Sequence, residues 1–489
     1  MTLPLFSGCL QNFFWNYDNN GLAARTPLLP DWLVPTRRPA SHLPGPPAAS
    51  LDHACVSRAA ISASARGLDG HTLRCVSTGR VIAVTVRCGV SGRFVVSRRV
   101  SFWILAVVLG LCLFAAAAPS PLYATYAAIW RFSPITLTAI YAVYSLGALA
   151  ALLITGRLSD HVGRRPVVML ALAVQIAGVA AFIAAQNVDA LYAGRFLQGV
   201  GTGIAVGPLS AWLLDLRTSE HQGFAGLVGG VMPIAGLAGG ALGSSLLVQY
   251  APDPLHLVFW VLAVGFAVAF ATMPWMPDPA QRSAGWLRSM RPRAGVPTPA
   301  RALFVALAPS VISIWALGGL YLALGPSLVT SSLGTENHVA GGAVIAALLG
   351  AGAIASAFGR TADPRLIVVR GSLLVIAGVG ITLVAVAIDS ILGIYAGTVI
   401  AGVGFGPAIG AVFRALTPLA PPDKRSALVA ALYIVLYFAL AVPTVVAGAA
   451  VGRYGLRDTT YVYGVFVMAL AAITTIALTR RTATPTTTP

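Results

Sequence analysis

From residue 101 to residue 480 the chain is a succession of apolar runs, most of them about 20 residues or longer, joined by short polar connections. This leaves few folds open. About 20 apolar residues in a helix span the roughly 30 Å hydrocarbon layer of a bilayer. In that layer every backbone N–H and C=O must find a partner inside the protein, so only helices or closed barrels cross it. The runs are continuous, whereas barrel strands alternate apolar and polar residues. Composition agrees: 57% of the 489 residues are hydrophobic and 10% charged, against about 25% charged in a soluble domain. The expected fold class is an all-α membrane protein.

We read twelve runs: about 102–125, 135–155, 166–186, 190–214, 222–249 and 256–275, then about 301–329, 339–358, 366–387, 390–413, 426–450 and 459–478. A polar stretch rich in Pro and Arg divides them six and six. The pattern predicts six-helix bundles over 100–275 and 301–480, a central connection over 276–300 and a disordered tail over 481–489. Arg and Lys concentrate in the cytoplasmic loops of membrane proteins. With the start of the first run inside, nineteen Arg and Lys fall in loops on that side and three, Arg131, Arg453 and Arg457, on the other. Both ends are therefore expected in the cytoplasm, with the spans in the inner (plasma) membrane. The net charge of +17 invites a nucleic-acid partner. Its arrangement excludes one, because Lys424 is the one lysine and the arginines sit mostly in short loops between apolar runs.

Residues 1–99 differ from the rest. Their best apolar run, Val81 to Val90, is cut by Arg87, and turn-forming clusters such as Pro44-Gly45-Pro46-Pro47 recur. The basic start, apolar core and small-residue cleavage site of a signal peptide are missing. A disordered tail, a small domain and an extension from an upstream start codon compete. The abrupt change at Arg98-Arg99-Val100-Ser101 favours the last, so a poorly ordered extension is expected over 1–99. Cys9, Cys55, Cys75, Cys88 and Cys112 form no CxxC pair, and the nearby His53 and His71 match no zinc spacing. Neither a metal, a cofactor nor a disulfide framework is expected.

Charge avoids the apolar region except in one knot, Gly156-Arg157-Leu158-Ser159-Asp160-His161-Val162-Gly163-Arg164-Arg165-Pro166. Gly156 lets the second helix end close to a neighbour. Asp160 suits the positive N-terminal end of another helix. Arg164 can pair with Asp160 and with Asp215 at the end of the fourth run. Part of the knot recurs 203 positions on, as Gly359, Arg360 and Asp363, with Pro364 and Leu366 breaking the rest of the pattern. Ala193-Gly194, Gly199 and Gly201 recur at the same offset as Ala396-Gly397, Gly402 and Gly404. Two matches at one offset mark an internal repeat of the six-run unit.

Over about residues 101–480 the chain resembles the major facilitator superfamily, and within it twelve-helix drug/proton antiporters. The knot fits that family's loop between helices 2 and 3, with His161 where the family often has a basic residue. Arg195-Phe-Leu-Gln198-Gly199-Val-Gly201 fits its helix 4 motif. Gly226, Gly229, Gly230, Pro233, Gly236, Gly239, Gly240 and Gly243 fall where antiporters carry a Gly-Pro-rich helix 5 motif, although Met232 precedes the proline where Gly is expected. The resemblance implies two parallel bundles that rock about a central site. It makes Gly156, Asp160, Gly163, Arg164, Arg165 and Asp215 a cytoplasmic gate latch whose partner is helix 11, starting near Ser426. Gly359, Arg360 and Asp363 are its second-half copy. An arginine at membrane depth needs an interior partner, so Arg195 and Gln198 are candidates for substrate binding or coupling. Gly230, Pro233, Gly236 and Gly240 bend and pack helix 5.

Further cavity candidates are polar or aromatic residues on the central helices: Tyr123, Tyr141, Tyr144, Ser313, Trp315, Tyr433 and Tyr437. Pro119-Ser120-Pro121 and Pro326 would break the first and seventh helices near their outer ends. After residue 101 each Asp and Glu maps to a loop or a helix end. A buried carboxylate of raised pKa, which proton-coupled carriers usually keep, is not among them. No catalytic constellation appears, so an enzyme is not expected. The reading is alternating-access transport of a small organic molecule, with efflux of drug-like or hydrophobic compounds by a monomer in the bilayer, and with protons as candidate coupling ion. Uptake or uniport of a metabolite is the alternative, and a membrane-embedded enzyme or sensor a third.

Overall fold

The chain is described here from a computed structural model, which covers residues 71–77, 80–86, 96–217, 222–279, 285–333, 337–359 and 362–482. These fall in two units, one ending at Ser91 and the other beginning at Gly92. The first contains strands β1 (His71–Ser77) and β2 (Arg80–Val86), paired antiparallel with His71 opposite Val86 and Ser77 opposite Arg80. The sequence reading had no strands here. Val81, Ile82, Val84, Thr85 and Val86 favour extended backbone through their branched Cβ, and two residues suffice to turn a hairpin. The remainder of the expected extension up to residue 95 lies outside the described residues.

The second unit has twelve helical spans. They are α1 (Arg98–Trp130), α2 (Pro134–Thr155), α3 (Arg164–Ile183), α4 (Val188–Asp215), α5 (Gly223–Tyr250) and α6 (Leu257–Trp275), then α7 (Thr298–Ala323), α8 (His338–Phe358), α9 (Pro364–Ala387), α10 (Ile391–Leu419), α11 (Pro422–Tyr454) and α12 (Leu456–Arg480). The expected twelve, six and six, are all present. Side-chain caps mark many of the starts: Ser133 before α2, Asn187 before α4, Asn337 before α8, Asp363 before α9 and Ser390 before α10 each accept from a backbone N–H of the first turn.

Packing repeats between the halves. Within the first, α1 lies on α5, α2 on α4, and α3 on α4 and α6; within the second, α7 lies on α11, α8 on α10, and α9 on α10 and α12. Glycines explain the tightest of these contacts. A Cβ on Gly199 or Gly203 would collide with the Tyr144 or Ala148 carbonyl of α2. A Cβ on Gly402 or Gly406, each 203 positions later, would collide with the Leu348 or Gly352 carbonyl of α8. The repeated glycines therefore serve close helix approach.

The halves meet along two seams, α2 against α11 and α5 against α8. These seams are copies of one another. At the first, Gly448 lies against Thr138 and the Pro134 carbonyl; at the second, Gly342 lies against Ser245 and the Ala241 carbonyl. Gly448 stands 203 positions after Ser245, and Gly342 stands 204 after Thr138. Both contacts lie at the end of the bundle opposite the 156–166 turn. Among the described residues, the hydrogen bonds that cross between halves lie there too. Tyr141 donates to the Leu322 carbonyl at 2.6 Å, and the His338 N–H donates to Gln249 Oε1 at 3.0 Å. Toward the turn the α5 wall is open: a Cβ added at Gly223, Gly226, Gly229 or Gly230 would have nothing within 4 Å.

Candidate functional site

The turn between α2 and α3 has the geometry its spacing predicts. Gly163 takes φ +103°, a conformation open to glycine, and this sharp exit starts α3 at Arg164. The Arg164 guanidinium reaches Asp160 at 2.5 Å and Asp215 at 3.2 Å, and donates to Ser159 Oγ at 2.7 Å. The Asp160 carboxylate is 55% exposed, so the pair alone is worth at most about 1 kcal/mol. Its expected approach to the start of α11 is not made. Among the described residues Asp160 has no hydrogen bond or ion pair to α11, and the Ala427 carbonyl there accepts from the Gly295 N–H of the central connection. The carboxylate pairs instead with Arg164 of its own turn.

Asp278 was not singled out from sequence. Its two carboxylate oxygens accept from the backbone N–H groups of Arg164 and Arg165 at 3.3 and 3.1 Å. This places an anion on the positive end of α3. Arg165 donates to the Met276 carbonyl, and Trp212 Nε1 to the Pro277 carbonyl at 2.8 Å. The segment that leaves α6 thus braces the ends of α3 and α4. The one sequence signal was an acid between two prolines, Pro277-Asp278-Pro279, directly after an apolar run.

The second-half copy is a partial one. Asp363 caps α9 by accepting from the Arg365 N–H at 2.8 Å, and Gly359 ends α8. Arg360 lies outside the described residues.

At the centre, Arg195 is 0% exposed and, among the described residues, is the one fully buried charge. It donates from Nε to the Tyr123 hydroxyl, and from Nη1 to the Ala116 carbonyl at 2.6 Å and to Gln198 Oε1 at 3.4 Å. Gln198 Nε2 donates to the Ala115 carbonyl at 3.2 Å. The rings of Tyr123, Tyr141 and Tyr144 surround the guanidinium at 5.1, 4.9 and 5.6 Å, within cation–π range. The two carbonyls are free for a reason written in the sequence. A helix would give the Ala115 carbonyl the N–H of residue 119, which is proline and has none. α1 breaks over 118–121, and the Ser120 N–H turns to the Ala117 carbonyl, leaving Ala116 for Arg195. Pro119 and Pro121 therefore create the acceptors that hold the buried charge, in addition to breaking the helix as expected. At the repeat position of Arg195 stands Thr398, bonded to Tyr321 at 2.9 Å, so the charge belongs to one half.

Of the second-half candidates, Trp315, Tyr437 and Tyr433 form a row, with ring centroids 6.5 Å apart from Trp315 to Tyr437 and 6.2 Å from Tyr437 to Tyr433. All three are half-buried. Tyr437 lines a cleft between α2 and α11 together with Ser145 and Leu149. Ser313 is elsewhere. Its hydroxyl donates to the Val467 carbonyl of α12 at 2.8 Å, which makes it a packing contact within the second half. On α5, Gly236 and Gly240 do pack, against the backbone of Gly110 and Phe114 on α1. Gly230 does not, since it faces the open wall, and Pro233 sits inside a helix that continues past it.

Relatives and solved structures point one way. A stretch of 192 residues is 31% identical to an MFS-type transporter of Aspergillus terreus, covering 35% of each chain. Another of 135 residues is 29% identical to the multidrug resistance protein MdtL of Shigella dysenteriae, covering 27% of this chain and 34% of that one. The matched stretches thus span about a third of these relatives' length. The crystal structure of the nucleoside transporter NupG (D323A mutant) superposes with a TM-score of 0.57 at 13% identity, covering 78% of this chain and all of the other, which is a likeness of fold. The sequence profile of the Major Facilitator Superfamily matches residues 105–443, from the first turns of α1 into α11. With that match and twelve spans in two repeated bundles, the chain belongs to the Major Facilitator Superfamily, a family of transporters.

Proposed function

We propose that the protein is a secondary carrier that exports small drug-like or hydrophobic compounds by alternating access. One observation supports this reading: among the described residues the two copied glycine contacts and the hydrogen bonds between the halves lie at one end and none at the other, with a buried charged cluster beside the seam. A pore would be open at both ends, whereas a carrier opens one at a time. Rocking about the seams would bring α11 to Asp160 and part Gly448 from Thr138. Asp160, Arg164 and Asp215 then act as a latch that holds the other state. The arginine count supports placing the open end in the cytoplasm, both termini included, in a plasma membrane. Bundles over 100–275 and 301–480 joined by 276–300, a monomeric state and proton antiport complete the proposal. The partial identity to MdtL supports export.

The test is resistance in a bacterial strain stripped of its own multidrug pumps. Expression should raise the inhibitory concentration of lipophilic drugs several-fold, and an uncoupler should abolish the gain. A second reading, uptake or uniport of a small metabolite, is favoured by the absence of a fully buried carboxylate among the described residues. Accumulation of a labelled metabolite that survives the uncoupler would select it over export.

A further inference from the structure

The central region carries an asymmetry of charge and of hydrogen-bonding sense. Among the described residues Arg195 has no carboxylate partner; its neighbours are carbonyls, Gln198 and tyrosine rings. Its Nη2 is buried and makes no well-formed hydrogen bond, the Tyr141 hydroxyl beside it being a weak acceptor whose own proton goes to the Leu322 carbonyl. In the row opposite, Trp315 Nε1 is buried without an acceptor. Guanidinium and indole N–H groups donate and cannot accept. Buried donors left unmatched or weakly matched are costly, so the indole N–H and the guanidinium mark places where a bound molecule would supply acceptors. An ammonium, itself a donor, would satisfy neither. A lone guanidinium in a medium of low dielectric also repels a second cation. The two places belong together: Tyr144 of α2, whose ring lies 5.6 Å from the Arg195 guanidinium, is also close enough to Tyr437 of α11 to interact with it electrostatically. The aromatic row offers ring faces at stacking distance.

We infer that the carried compounds are planar aromatic molecules that are neutral or anionic, their rings against Trp315 and Tyr437 and their acceptor groups toward Arg195, and that cations are discriminated against. This rests on the carrier reading above. Cation–π attraction to the row would favour the reverse preference, so the two effects oppose each other and charge is the variable to test.

Fluorescein and rhodamine 6G share a xanthene ring and carry opposite charge. Binding of each to the full chain in proteoliposomes is followed by fluorescence anisotropy, with protein-free vesicles as baseline, and movement of each dye is followed by counterflow. Fluorescein should bind at least about tenfold more tightly than rhodamine 6G. Arg195→Gln should remove that preference, and Trp315→Phe should weaken fluorescein about threefold or more with little effect on rhodamine 6G. Should Arg195→Gln fail to fold, Arg195→Lys keeps the charge and should keep the preference. Equal or tighter binding of rhodamine 6G overturns the inference, and if that dye is also moved, the carrier reading stands. Failure of both dyes to bind overturns it too, while drug resistance in the pump-stripped strain then decides the carrier reading on its own.

Discussion

Two acids near the 156–166 turn have different duties that substitution can separate. Asp278 binds backbone N–H groups of α3, which is a structural duty present in this state of the molecule. Asp278→Ala should lower stability by about 1 kcal/mol, the usual worth of a helix-start acceptor, read from denaturant unfolding in micelles. Asp278→Asn keeps an acceptor and should lose much less. Asp160 spends this state half exposed beside Arg164, so its removal should barely change unfolding. Asp160→Asn should instead abolish transport with membrane insertion intact, and near-normal transport would refute the latch. Asp160 and Arg164 were legible because a charged cluster in an apolar chain stands out and a spacing of four sets their contact, while Asp215, 51 positions from Arg164, was legible as an acid closing an apolar run at the same end of the bundle. Asp278 was not, since it meets α3 across 114 positions of chain and nothing local in its sequence names that partner. Ser313 failed differently. A hydroxyl on a central helix reads alike whether it faces a cavity or a neighbouring carbonyl, and only the helix rotation decides.

At the scale of elements, α1 shows how a sequence writes a site indirectly. The twelve runs were readable because membrane depth fixes their length. The break at 118–121 was readable from Pro119 and Pro121. What the break supplies was not: the freed carbonyls of Ala115 and Ala116 gain meaning from Arg195 and Gln198 on α4. Pro119→Ala would return an N–H donor to the Ala115 carbonyl in competition with Gln198. We expect a melting temperature that is unchanged or raised, together with reduced transport. Reduced transport with clear destabilisation would instead show the break to be needed for folding. α5 divides in a similar way. Gly236 and Gly240 face α1 while Gly230 faces the opening, so Gly230→Ala should be tolerated for stability and Gly240→Leu should not, as thermal melting would register. Glycines four apart announce a packing face without saying where along the helix the partner leaves off.

For the molecule as a whole, the repeat is the organising fact. An offset of 203 in the sequence becomes equivalent packing in two bundles, then a pair of equivalent seams in which a glycine of one half meets a hydroxyl residue of the other. These copied glycine contacts lie at one end, and on the carrier reading the same interface that joins the halves closes that mouth. The proposed alternation between states requires both seams to part, so a covalent tie across one of them should stop the cycle. At the first seam a Cβ on Gly448 would collide with Thr138 and the Pro134 carbonyl, so the tie belongs at the second, where the Gln249 side chain reaches the His338 N–H at 3.0 Å, with Gln249 exposed and His338 half-buried. In a chain whose five cysteines are replaced by Ser, Gln249→Cys combined with His338→Cys should crosslink with a short bifunctional thiol-reactive reagent that reduction cleaves and lose transport, and regain it on reduction. The crosslinked protein should still bind substrate from the open mouth, because the tie holds the state described here. A crosslinked protein that transports at the uncrosslinked rate would mean that this end does not open, and that substrate crosses by a route other than alternation between the two mouths.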